Sequence, residues 1–185
     1  MALRVISGTA GGLHLKSPKR HELRPTQDRI RQVIFSSLAE VVPGARVLDL
    51  FAGTGSFGIE ALSRGAASAT FVEQNAEAVQ CITDNLAHCR LQGNVRKADA
   101  MAFLQETRTD RFDLIFADPP YDKSRGPLDD DPLLKLLPAL LSPEGIFVWE
   151  HYAERTLQNA PLWEVIRHRT YGETGLTFLR LIHKK

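Results

Sequence analysis

The chain has few cysteines: two, Cys81 and Cys89, stand eight positions apart without the paired spacing of a zinc site. That excludes a disulfide-stapled scaffold, and both are expected to be small buried side chains in a reducing compartment. The histidines at 14, 21, 88, 151, 168 and 183 are scattered and form no HxxxH pair, so no metal site is expected. No window approaches the roughly eighteen apolar residues of a membrane span. The first twenty positions carry Arg4, Lys16, Lys19 and Arg20 with no apolar stretch for a secretory signal. The cytoplasm is the default compartment. Internal repeats, low-complexity tracts and long linkers are also missing.

What is present is a globular balance, 43% hydrophobic and 24% charged, in 185 residues, a length that suits one well-cored domain rather than two. The net charge of +1 is unevenly spread: +4 over residues 1–40, −6 over 41–150 and +3 over 151–185. Basic ends can touch a polyanion while an acidic centre holds a cationic ligand, although short segments also fluctuate this much by chance.

Two β-prone runs, LRVISG and LHLKSP, flank the glycine-rich Gly8 to Gly12 and predict a hairpin-like opening. Thr26 is the expected N-cap of a helix carrying Ile30, Val33, Ile34 and Leu38 at helical spacing, ended by Pro43 and Gly44. Strand-like and helical segments then alternate: RVLDLF, a helix from about Ser56 to Arg64, ATFVE, a helix from about Ala76 to Cys89, NVRKA, a helix over about Ala100 to Glu106, and FDLIFAD. This pitch implies right-handed βαβ units and a parallel sheet covered on both faces. Asp131 followed by Pro132 opens an expected helix over LLKLLPALL, leading to the strand GIFVWE. The last two runs, WEVIRHRTYG and GLTFLRLIHK, have no helix between them and predict an antiparallel hairpin at the sheet edge.

Gly53, Gly55 and Gly58 form GxGxxG after the first parallel strand, where a ligand comes closer to the backbone than a Cβ permits. Glu73, twenty residues after Gly53 at the end of the second strand, can accept both hydrogens of a ribose diol. The same pattern fits a dinucleotide site. Asp49, however, puts a carboxylate beside the ligand, which repels a pyrophosphate and suits the cationic sulfonium and amino groups of S-adenosylmethionine. D-x-F-x-G-x-G resembles the first motif of class I methyltransferases using that cofactor. Asp99, ending the third strand, then meets the adenine amino group or caps the next helix, and the two roles are compatible.

The fourth strand ends in Asp118, Pro119, Pro120 and Tyr121. It is expected beside the first strand, at the switch point where ligands bind. Two prolines stiffen the turn and present carbonyls outward. The Asp118 carboxylate and Pro119 carbonyl are the acceptor pair that an exocyclic aromatic amine needs, and Tyr121 can stack on its base. Standing alone, the tetrapeptide would read more readily as an ordinary turn with a capping acid. With the loop and Glu73 it resembles the (D/N/S)PP(Y/F/W) motif of amino-group methyltransferases.

RVISGTAGGLHLKSP, LRPTQDRIRQVIFSSL, VLDLFAGTGSFGIEALSRGA, FVEQN, FADPPY and TYGETGLTFLRL together resemble the bacterial family that methylates guanine N2 in small-subunit ribosomal RNA, the RsmD type. The likeness runs from about Arg4 to Leu181. It implies a Rossmann-like class I methyltransferase fold of the α/β class: a seven-stranded, mostly parallel sheet with an antiparallel C-terminal hairpin. Residues 1–42 would form an RNA-contacting hairpin and helix extension, and 43–185 the cofactor-binding domain. It further implies S-adenosylmethionine as cofactor, held by Asp49, Phe51, Gly53, Gly55, Glu73, Gln74, Asp99 and Ala100, and catalysis at Asp118, Pro119, Pro120 and Tyr121. Arg20, Arg24, Arg29 and Arg31 are candidate RNA contacts, with Arg24 and Arg31 preferred, although a solvated helix face competes. The implied partner is small-subunit ribosomal RNA in an assembled or assembling 30S particle, with guanine 966 as the expected nucleotide and a monomer as the default. Gln27 departs from the small hydroxyl residue common in the family. Competing readings are a DNA adenine methyltransferase, for which the chain has no room for a target-recognition domain, an NAD-dependent oxidoreductase, and a non-catalytic RNA-binding module.

Overall fold

The computed structural model describes residues 3–18, 25–107, 111–120 and 126–182, with backbone alone at 25–27. Helix α1 (Pro25–Ser37) begins one residue before the expected cap, so proline takes the first helical position and Thr26 lies inside the first turn. Then follow β1 (Arg46–Leu50), α2 (Ser56–Ser63), β2 (Ser68–Glu73), α3 (Ala76–Cys89), β3 (Asn94–Lys97), α4 (Ala100–Glu106) and β4 (Phe112–Ala117), within a residue or two of the expected spans. Asp131 accepts from Leu133 N–H and caps α5 (Pro132–Leu136) with Pro132 at its first position, as expected. The helix is shorter than the LLKLLPALL reading. Pro138 falls in a 3₁₀ turn over Leu137–Ala139, and Leu141 already belongs to β5 (Leu141–Tyr152). Strands β6 (Trp163–Tyr171) and β7 (Thr174–Leu181) form the antiparallel hairpin.

The seven strands make one sheet in the order β3-β2-β1-β4-β5-β7-β6, parallel from β3 to β5, with β7 antiparallel between β5 and the edge strand β6. Burial on both faces explains why the central strands read as nearly unbroken apolar runs. One face carries Val47, Leu114, Phe116 and Val148 against Ile34 and Phe35 of α1, Ile59 of α2 and Ile82 of α3. The other carries Leu48, Leu50, Ile115, Phe147 and Trp149 against Leu104 of α4 and Leu133 of α5. Cys81 and Cys89 are buried free thiols on α3.

In the N-terminal segment a single bridge, Arg4 with His14, replaces a full hairpin ladder. Its Leu3, Val5, Ala10 and Leu15 join the first core face. Polar contacts from α2 hold it there: the buried Glu60 carboxylate accepts Ile6 N–H at 2.6 Å and Ser7 N–H at 3.1 Å, and Ser63 Oγ accepts Ala10 N–H at 2.9 Å. Gly8 has φ 86° and passes so close that a Cβ would lie 1.9 Å from the Ser63 carbonyl oxygen.

Candidate active site

Strand β1 is buried from Val47 onward, so Asp49 stands inside the protein, 1% exposed. Its Oδ2 accepts Gly58 N–H at 2.9 Å, in the first turns of α2. Burial pushes its carboxyl up to about 8; the Gly58 N–H draws it partly back, and the charges of Asp118 and Glu73 raise it further. Three elements therefore converge on one electrostatic site.

Between Asp49 and α2 the chain turns through Phe51, Gly53 and Gly55, with φ of 57°, 55° and 76°. Glycine adopts this conformation freely, whereas a side chain such as Phe51 carries strain of about 1 kcal/mol or more. Gly58 serves packing instead. A Cβ there would lie 2.3 Å from the buried Phe71 ring, so this glycine lets α2 seat on β2.

Glu73, half-buried at the end of β2, braces the loop: Oε2 accepts Gly53 N–H at 2.9 Å and Oε1 accepts Asn75 N–H at 2.8 Å. Each oxygen keeps a lone pair with which a diol could be held. Gln74 beside it is exposed. Asp99 ends the turn after β3 as the N-cap of α4, accepting Met101 N–H at 2.9 Å and Ala102 N–H at 3.0 Å, and Ala100 is buried behind it. The capping role is thus present, and it leaves the second carboxylate oxygen for another donor.

Strand β4 lies beside β1, with Asp49 level with Phe116. Asp118 stands just past the end of β4, half-buried, followed by buried Pro119 and exposed Pro120. Tyr121, Arg20 and Arg24 lie outside the described residues. Glu150, which ends the expected strand GIFVWE, was not singled out from the sequence. It is 5% exposed, and the charge of Asp118 reaches it.

The basic residues divide. Arg29 is exposed on α1. Arg31 corrects the expectation of an RNA contact: it is 2% exposed, and its Nη2 donates to the Arg4 carbonyl and to Asp28 Oδ1. Burial lowers its proton affinity while Asp28 and Glu60 restore part of it. The helical period held the signal, because 31, 34, 35 and 38 share one stripe with Ile34, Phe35 and Leu38. Asn85 was also missed. From inside α3 it donates to the Thr54 and Lys16 carbonyls, each at 3.1 Å, and so ties the glycine loop to the N-terminal segment. No local motif marks it.

Strand order and the reversed seventh strand are those of the Rossmann-like class I methyltransferases. The Thermus thermophilus 16S rRNA N2 G1207 methyltransferase shares the fold at 20% identity, with a TM-score of 0.71 over 89% of this chain and 45% of that one. A family model described as conserved hypothetical protein 95 matches residues 3–180, and the chain belongs to this family, the RsmD type that its motifs resemble. It is 37% identical over 176 residues to Escherichia coli ribosomal RNA small subunit methyltransferase D, covering 94% of this chain and 87% of that one. A hypothetical protein of solved structure from Thermus thermophilus is 33% identical, with a TM-score of 0.80 over 97% of this chain and 99% of that one.

Proposed function

We propose that this chain is an S-adenosylmethionine-dependent methyltransferase acting on the exocyclic N2 amine of a guanine in small-subunit ribosomal RNA. Guanine 966 in an assembled or assembling subunit is the expected target. The observation that carries the reading is the placement of Asp49 and Asp118 at the ends of adjacent strands, close enough for the charge of one to raise the other. Carboxyls gathered in this way ionise most readily against a cationic ligand and disfavour the pyrophosphate of a dinucleotide. The donor set fits the proposed cofactor: Asp49 for its positive end, the Gly53 and Gly55 backbone for close approach, Glu73 for its ribose, and Asp99 for its adenine.

When bound, S-adenosylmethionine supplies an electrophilic methyl group on a positively charged sulfur. Asp118 and the Pro119 carbonyl accept the two N–H bonds of the substrate amine. Holding both turns the nitrogen lone pair out of conjugation and toward the methyl carbon. As the N–C bond forms and the S–C bond breaks, positive charge grows on nitrogen, and the Asp118 carboxylate stabilises it before the proton leaves through the same acceptors. Tyr121 would stack on the base, and Arg29 would hold RNA phosphate.

The test is transfer of labelled methyl from S-adenosylmethionine to small subunits lacking the native modification, with free ribosomal RNA and duplex DNA in parallel, mapped after nuclease digestion. Label recovered as N2-methylguanine in small-subunit RNA is expected. Label on DNA or protein alone would overturn the substrate assignment.

A further inference from the structure

The registry of β4 and β5 pairs Ala117 with Trp149, so Asp118, the first residue past the end of β4, follows beside Glu150 of β5. Such strands lie about 4.8 Å apart. Alternation along β5 points the Glu150 side chain to the face of Val148, where the charge of Asp118 reaches it. Glu150 is 5% exposed there. On its other side it pairs with Leu176 of β7. His151 and His168, which share Thr177 Oγ1 at 2.8 and 2.9 Å, follow the opposite alternation, toward Trp149. Among the described residues, the charge that reaches Glu150 is that of Asp118 just past β4, and Asp118 in turn acts on Asp49 of β1.

Two negative charges about 5 Å apart repel by roughly 3 kcal/mol even at an effective dielectric constant near 20. Burial adds to this, and together with the Asp118 charge it holds the Glu150 carboxyl well above the ordinary range. For the fold alone a carboxyl here is a liability, since the unfolded chain ionises it freely at neutral pH. Its use lies in what stands next to it.

We infer that Glu150 is a positioning residue of the amine clamp: buried beside the half-exposed Asp118, it holds the one proton the two share and directs its O–H to the Asp118 carboxylate, fixing the orientation in which Asp118 receives the substrate N–H. The inference rests on the methyl-transfer reading. Glu150 does not touch the amine. It leaves the pair with one negative charge, matched to the single positive charge that grows on nitrogen.

Two substitutions separate this role from filling space. Glu150→Gln keeps the shape and an N–H donor, and is expected to keep kcat within about threefold; Glu150→Leu loses the donor, and is expected to lower kcat roughly 10–100-fold with KM for S-adenosylmethionine unchanged. Stabilisation by S-adenosylhomocysteine checks that both variants are folded. Wild-type kcat in Glu150→Leu, or equal loss in both variants, would overturn the role. A second reading needs no RNA. Because the folded acid keeps a proton that the unfolded one releases above about 4.3, wild-type stability falls as pH rises past that value. Glu150→Gln removes the penalty, so its advantage in melting temperature should grow from pH 5 to pH 8 and shrink in an Asp118→Asn background. An advantage independent of pH would overturn the shared proton. If the wild-type protein transfers no methyl at all, the methyl-transfer reading fails and this role with it, and the pH measurement still registers the proton.

Discussion

Glu60 and Glu150 are both buried glutamates, 0% and 5% exposed, and they differ in what surrounds them. In the middle of α2, Glu60 receives two backbone N–H groups from Ile6 and Ser7 and the Arg64 guanidinium at 2.6 Å. At the end of β5, Glu150 faces another carboxyl. Asp49, one strand past Asp118, shares that condition, with one backbone N–H and two acidic neighbours. A buried carboxylate given donors on every side fastens one part of the chain to another. Buried acids placed against one another hold charge in reserve for a ligand.

The comparison breaks most visibly at the fastening end. Glu60→Ala strands Arg64 and two N–H groups and should cost about 3–5 kcal/mol of stability. A denaturant titration would read this, with cofactor affinity per folded molecule unchanged; if affinity falls as well, the two regions are one. Gly58→Ala forces a methyl against the buried Phe71 ring and should cost about 1–3 kcal/mol, read in the same titration. At the ligand end, Asp49 sharpens the contrast through pH. Its folded carboxyl, near 8, must lose its proton to face a cation, so cofactor affinity should rise as pH climbs from 6 and level off above about 8. Calorimetry in buffers of different ionisation enthalpy would show the released proton, and Asp49→Asn should bind more weakly with a flat profile. The smallest effect belongs to exposed Arg29: Arg29→Ala should weaken RNA binding a few-fold and lower the salt slope by about one.

Most of the fold was legible because its signals are local. Helices α3 and α4 and the parallel sheet follow from the alternation of strand-like and helical segments, and Asp99 caps α4 as one of its two expected roles. The strand-end acids of the candidate site were readable for the same reason, since each closes an apolar run. What escaped depends on distant partners. Pro138 shortened α5 because a proline that reads as tolerable in an apolar run still lacks its N–H. Arg31 shares the apolar stripe of α1, but the acceptor that makes its burial tolerable, the Arg4 carbonyl, comes from a distant segment. Glu150 is an ordinary strand terminus until β4 brings Asp118 alongside.

Asp118→Asn separates a strand-end carboxyl that acts on a ligand from one that holds the fold. Single-turnover methyl transfer to unmodified small subunits should fall about 10²–10³-fold, while the melting shift with S-adenosylhomocysteine stays at the wild-type value. Equal loss of cofactor stabilisation and transfer, or transfer at the wild-type rate, would contradict the ligand role of Asp118.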